Sequence, residues 1–142
     1  MKKNCIIAQS GGPTVAINAS LAGVISQVTS SDSFDTIYGS VYGILGILKS
    51  NLLNLTNLNQ EIPHFIDTLK ISPAMYLGSC RYKLPHYSDD DAPYTFIFNK
   101  FKELNIGTFF YIGGNDSMDT VLKLSEYAKQ IGSDVSIIGI PK

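Results

Sequence analysis

The chain has 142 residues, 44% apolar and 16% charged, with eleven Lys and Arg against twelve Asp and Glu for a formal net charge of −1. That length suits a single domain, residues 1–142, burying about two-thirds of the surface its unfolded form exposes, and the balance is too apolar for intrinsic disorder. It excludes the broad basic field of a nucleic-acid binder; no apolar run approaches a membrane span, and Cys5 and Cys80 have neither C-x-x-C spacing nor disulfide-scaffold density, so a soluble protein of a reducing cytoplasm is expected.

In chain order, residues 4–9 form a short apolar run that ends at Ser10-Gly11-Gly12-Pro13, which predicts a buried strand and a tight loop. Ile17, Leu21, Val24, Ile25 and Val28 then recur on one face of a 3.6-residue period, with Asn18, Ser20 and Gln27 elsewhere. Residues 34–38 predict a second strand ending at Gly39-Ser40, and 41–49 a short helix interrupted by Gly43 and Gly46. Residues 50–88 are the least periodic: an Asn/Leu-rich connection, a short helix over 62–69, and an irregular segment over 72–88 of the kind that often carries function.

Ser88 and the acidic triplet Asp89-Asp90-Asp91 supply caps for a helix with Ile97, Phe101 and Leu104 on its core face, ended by Asn105-Ile106-Gly107. Residues 108–112 predict a third buried strand that runs into Gly113-Gly114-Asn115-Asp116-Ser117 and a helix with Val121, Leu124, Ala128 and Ile131 on one face. Residues 134–139 predict a fourth strand, and another loop is expected to begin at Ile140-Pro141-Lys142. Strands alternating with helices argue for an α/β fold, a doubly wound parallel sheet with helices on both faces in three layers and right-handed crossovers.

In such a sheet the ligand crevice lies beyond the carboxyl ends of the strands, where strand order reverses. Two Gly-Gly pairs fall there, each between a buried strand and a helix. Glycines let backbone N–H groups approach an anion, and the helix N-terminus adds about half a positive charge. One pair alone reads as a tight turn; two at the same end of one sheet point to a shared phosphate site. Neither is a Walker A or G-x-G-x-x-G motif.

Arg81, the single arginine of the chain, lies in the irregular segment, and its planar guanidinium suits bidentate phosphate binding. Asp116 is out of character on an anion-attracting loop: it caps the helix, excludes a ligand, or does both. His64 and His86 have no second ligand at metal spacing.

The ordered set Ser10-Gly11-Gly12-Pro13 with Asn18, Tyr38-Gly39 and Gly43, Leu77-Gly78-Ser79-Cys80-Arg81, and Tyr111 through Ser117 resembles the 6-phosphofructokinase family along the whole chain. The resemblance implies the N-terminal part of the phosphofructokinase fold and a glycolytic phosphotransferase acting on fructose 6-phosphate, with Mg2+ as cofactor and a homo-oligomeric assembly. It also implies that Gly12, Tyr38, Arg81, Gly114, Asn115, Asp116 and Ser117 bind the phosphoryl donor, with Arg81, Asp116 and Lys142 serving catalysis.

ATP-using members carry Gly-Gly-Asp-Gly-Ser; here Asn115 and Asp116 replace the Asp-Gly. By resemblance to pyrophosphate-dependent members, the Asp116 carboxylate would repel the ATP α-phosphate, and Lys142 would hold pyrophosphate. Asn115 stands where the metal-linked Asp is usual, and a neutral amide is the poorer magnesium ligand. The ending Gly139-Ile140-Pro141-Lys142 is similar to the start of the family's Pro-Lys-Thr-Ile-Asp-Asn-Asp segment, so the resemblance places the catalytic base beyond Lys142 and predicts that these residues alone are inactive. The alternatives are an ATP-dependent phosphofructokinase and a non-catalytic phosphate-binding or regulatory subunit of the same fold.

Overall fold

The computed structural model describes residues 2–10, 15–71, 76–80 and 82–141, with backbone alone at 15 and 16. The elements are β1 (Lys3–Gln9), α1 (Val15–Ser31), β2 (Phe34–Ser40), α2 (Leu45–Leu48), β3 (Leu52–Asn54), α3 (Leu55–Glu61), α4 (Phe65–Ile71), α5 (Ala92–Glu103), β4 (Ile106–Gly113), α6 (Asn115–Ile131) and β5 (Ser136–Pro141). They build one five-stranded sheet in the order β3-β2-β1-β4-β5. β1, β2, β4 and β5 run parallel, and β3 pairs antiparallel on β2.

The central strand β1 is buried on both faces, which is why it reads as a continuous apolar run rather than an alternation. Ile6 and Ala8 face Phe109, Tyr111 and the side chains Tyr94, Ile97, Phe101, Leu124 and Ala128 of α5 and α6. Cys5 and Ile7 face the other way, onto Ile112 and onto Ile17, Leu21, Ile25, Phe65 and Leu69 of α1 and α4. Two cores, one on each side of the sheet, make the three layers that alternating strands and helices predict.

Several elements differ from the sequence reading. The antiparallel β3 falls inside the Asn/Leu-rich connection; three residues are too few to show a period, and it is the pairing of Leu52, Leu53 and Asn54 with Ser40, Gly39 and Tyr38 that makes them a strand. The helix expected over 41–49 shrinks to Leu45–Leu48, because Tyr42 and Gly43 take positive φ of 65° and 63° and break the turn before it. α4 starts at Phe65 rather than 62, after Pro63 and a left-handed His64 with φ 57°.

Leu104 is the C-cap of α5, Asn105 takes φ 55°, and Ile106 and Gly107 already belong to β4. Of the acidic triplet, Asp91 is the N-cap without a side-chain bond, and Asp90 Oδ1 accepts the Ala92 N–H at 3.1 Å. On α6, Leu124 and Ala128 are buried and Val121 partly so, but Ile131 is 49% exposed. It is the last helical residue before the left-handed Gly132 cap. On α1, Asn18 is fully buried although its polarity predicts an outer position.

Candidate functional site at the strand carboxyl ends

β2 lies on one side of β1 and β4 on the other, so strand order reverses between β1 and β4, and the crevice belongs at their carboxyl ends. The two loop roots meet there. The Ser10 N–H donates to the Ile112 carbonyl at 2.8 Å, continuing the β1–β4 ladder by one residue. Gly113 closes β4, and a Cβ added to it would lie 2.8 Å from the Ser10 carbonyl oxygen and 2.7 Å from Ser117 Cβ. Its lack of a side chain lets the end of β1 and the start of α6 approach each other.

At that start, Gly114 is the N-cap and makes no side-chain bond. Asp116 is therefore not the capping residue but the acidic member of the first turn, and it is exposed beside exposed Asn115. Ser117 turns inward and is buried. The first backbone N–H groups of a 17-residue helix thus face the crevice with the positive end of the helix dipole behind them.

Gln9, with no exposure, ties a third segment to the mouth. Its Nε2 donates to the Ile17 carbonyl at 3.0 Å, and its Oε1 accepts the Leu77 N–H at 3.0 Å. Asn18 Oδ1 accepts the Tyr76 N–H at 2.9 Å, which explains its burial. Further along, Ser10 Oγ donates to the Cys80 carbonyl at 3.1 Å. Residues 76–80, irregular by sequence, are thereby hung on polar side chains of β1 and α1. Gln9→Leu keeps the volume but leaves the buried Leu77 N–H unpaired, so a loss of about 1–3 kcal/mol is expected in urea unfolding; unchanged stability would mean that this bond does not hold the segment.

A fourth segment is the turn after β2. The Tyr42 N–H donates to the Leu77 carbonyl at 2.8 Å, and the Tyr42 ring, 56% exposed, covers Gly78, where a Cβ would stand 2.7 Å from it. A cavity of about 330 Å³ opens between Tyr42, Leu45, Lys49, Asn51, Ser79 and Cys80. A larger one, about 490 Å³, lies at the amino-terminal end of the strands near Lys3, Lys102, Asn105 and Val135, away from the loops of the mouth. Cys5, sealed in the sheet, has its thiol pushed up to about 12 by burial and is chemically inert.

The structure brings Gly114, Asn115, Asp116 and Ser117 together at the mouth. Tyr38 is elsewhere: it pairs with Ile6 in the middle of the sheet and packs half-buried on the core beneath α5, whereas Tyr42 reaches the mouth. Gly11, Gly12 and Pro13, Arg81 and Lys142 lie outside the described residues; Pro141, paired with Gly113, brings the end of β5 level with the mouth. Among the described residues no three His, Cys, Asp or Glu side chains gather as a metal cage, and no helix is long and apolar enough to cross a membrane.

Residues 4–142 match the family model described as Phosphofructokinase. The chain belongs to the phosphofructokinase family. Over 141 residues it is 38% identical to the pyrophosphate--fructose 6-phosphate 1-phosphotransferase of Methylococcus capsulatus, covering 99% of this chain and 33% of that protein. The protein of the same description from Rhodospirillum rubrum is 39% identical over 142 residues, again covering 99% of this chain and 33% of the relative. The crystal structure of the pyrophosphate-dependent phosphofructokinase of Nitrosospira multiformis superposes with a TM-score of 0.88 at 40% identity, over 99% of this chain and 33% of that one. The chain spans about a third of the length of these relatives.

Within this phosphofructokinase chain, the sequence assigned no role to three residues at or beneath the mouth: Gln9, Tyr42 and Tyr111. Each carried a signal. Gln9 and Tyr111 are polar groups inside otherwise apolar strands, where a buried polar atom demands a partner. Tyr42 precedes a glycine just after a strand, where a turn presents its side chain.

Proposed function

We propose that these residues form the phosphoryl-donor side of the active site of a pyrophosphate-dependent 6-phosphofructokinase, which transfers a phosphoryl group between pyrophosphate and the 1-position of fructose 6-phosphate in glycolysis. The observation that carries the reading is the meeting of Ser10 and Gly113 at the reversal of strand order, with Asp116 exposed on the first turn of α6. Phosphoryl transfer needs little covalent chemistry from a protein; it needs positioned donors around developing charge. The N–H groups at the start of α6 suit the phosphate oxygens, and Gly12 and Arg81, reached from Ser10 and Cys80, are assigned to the donor phosphates and to the charge on the transferring group. Lys142 is assigned to pyrophosphate.

Asp116 supplies the choice of donor. A carboxylate beside the helix terminus opposes any further phosphate, and a small diphosphate leaves that position free where ATP fills it. The described residues do not by themselves make a magnesium site: Asn115 offers a neutral amide and Asp116 one exposed carboxylate. Mg2+ bound to pyrophosphate takes most of its ligands from phosphate and water, so that donor set asks for no cage here. A cytoplasmic location and a homo-oligomer complete the proposal.

The test is a coupled assay of fructose 6-phosphate phosphorylation by a protein of the relatives' length beginning with these residues, with pyrophosphate and ATP compared as donors, beside residues 1–142 alone. Activity with pyrophosphate in the long protein and none in residues 1–142 is expected. A preference for ATP would refute the donor assignment, and turnover by residues 1–142 would refute the assignment of the base to a segment beyond them.

A further inference from the structure

Beyond the mouth, Leu84 and Pro85 offer two consecutive backbone carbonyls, and each is taken by a side chain of a different helix. The Lys123 ammonium on α6 donates to the Leu84 carbonyl at 2.9 Å, and the Tyr94 hydroxyl on α5 donates to the Pro85 carbonyl. Leu84 is 1% exposed and packs in the core under these helices with Tyr94 and Leu124. Lys123 also pairs with Asp119, one turn earlier, at 2.9 Å, yet its side chain is only 17% exposed against 51% for Asp119. An ordinary surface pair of this spacing leaves the ammonium in water; here it is largely withdrawn and spends a charge-assisted bond on the backbone of a loop. The outer contact of the same segment, His86 Nε2 to Glu126 Oε2 at 3.8 Å, lies between half-exposed groups and holds little.

On the other side of Arg81 the chain is held as well, since the Cys80 carbonyl accepts the Ser10 hydroxyl at 3.1 Å. Four residue steps separate Cys80 from Leu84, which limits the chain between them to about 14 Å. We propose that Lys123 and Tyr94 are positioning residues for Arg81: by clamping Leu84 and Pro85 to α6 and α5, they fix the far end of the short stretch that carries the guanidinium. The helix that opens on the mouth with Asp116 and Ser117 thereby sets, two turns further along, how far that stretch can move from its own N-terminus. The role of Arg81 on the transferring group rests on the functional reading; the clamp itself does not. A group that stabilises developing charge tolerates little slack, since a misplacement of about 1 Å costs on the order of a hundredfold in rate.

The test uses a protein of the relatives' length. Lys123→Met keeps the stem and removes the ammonium, Tyr94→Phe removes one oxygen, and Lys129→Met is the control, an exposed lysine in the last turn of α6. Without ligands, trypsin cleavage of the native protein at the Lys83–Leu84 bond is expected to quicken about tenfold in Lys123→Met and not in Lys129→Met, because the clamp must open before a protease can take the chain. An unchanged rate overturns the proposal, whatever the protein binds; Tyr94→Phe reads the same clamp where Lys123→Met does not fold. With pyrophosphate and fructose 6-phosphate, kcat is expected to fall about tenfold in Lys123→Met with KM for fructose 6-phosphate unchanged. In an Arg81→Lys background the same substitution is expected to cost less than about twofold, since a residue acting through Arg81 then has little left to place. Losses that multiply would make Lys123 a merely structural residue. If the unsubstituted long protein ignores pyrophosphate, the functional reading falls and the role of Arg81 with it, and the cleavage result still decides the clamp.

Discussion

Gly113→Ala is expected to lower the stability of the chain by about 1–3 kcal/mol, the usual cost of overpacking, and to abolish donor binding. The reason is contact rather than backbone freedom, since Gly113 is not among the residues of positive φ. A new methyl would meet Ser117 Oγ, Ser117 Cβ at 2.7 Å and the Ser10 carbonyl oxygen at 2.8 Å. Ser117 can rotate, but Ser10 is backbone held by its bond to Ile112, so the end of β1 must move away from α6 and the crevice proposed for the donor must widen.

Urea unfolding measures the first effect and pyrophosphate titration the second. Adding Ser117→Gly should restore part of the stability and none of the binding, because the Ser10 clash persists. Gly132→Ala gives the contrast: nothing lies within 4 Å of the added Cβ, but φ is +69°, so only the left-handed conformation resists, at roughly 1–2 kcal/mol, and the mouth is untouched. Wild-type binding in Gly113→Ala would mean that the two loop roots do not share one site.

Asp116→Gly in the long protein is expected to raise kcat/KM for ATP about ten- to a hundredfold and to change that for pyrophosphate much less. Two unit charges 4 Å apart interact by about 4 kcal/mol at an effective dielectric of 20. Asp116 is exposed on the first turn of α6, so solvent screening reduces the repulsion it exerts on an additional phosphate. A remainder of about 1.4–2.7 kcal/mol corresponds to the stated range. Loss of a first-turn carboxylate also costs the helix about 0.3–1 kcal/mol, so Asp116→Asn, which keeps the size and removes the charge, separates repulsion from helix stability. An unchanged ratio of ATP to pyrophosphate use in both variants would refute the exclusion role.

The two buried β–loop–helix units were legible in the sequence, because a strand covered on both faces must be apolar throughout and a glycine pair marks the tight turn from strand to helix. Asn115, Asp116 and Ser117 could be placed at the mouth for the same reason. The length and direction of β3 could not: Leu52, Leu53 and Asn54 gain their geometry from β2, not from their own preferences. Tyr38 was assigned to the donor on resemblance, yet its register opposite Ile6 puts it in mid-sheet, and a register between strands distant in sequence is set by packing.

The amino-acid sequence by itself determined that this is an α/β chain with a glycine pair after each of two buried strands and an acidic residue on the first turn of the helix that follows the second, since burial pattern and backbone permissiveness are properties of short stretches. Only the tertiary structure decided that Ser10, the turn at Tyr42 and Gly43, residues 76–80 and Ser117 converge, and that Gln9, Asn18 and Ser10 hold residues 76–80. Those contacts join residues up to about a hundred positions apart, and the partners of a buried polar atom follow from where the chain returns, which no local pattern encodes.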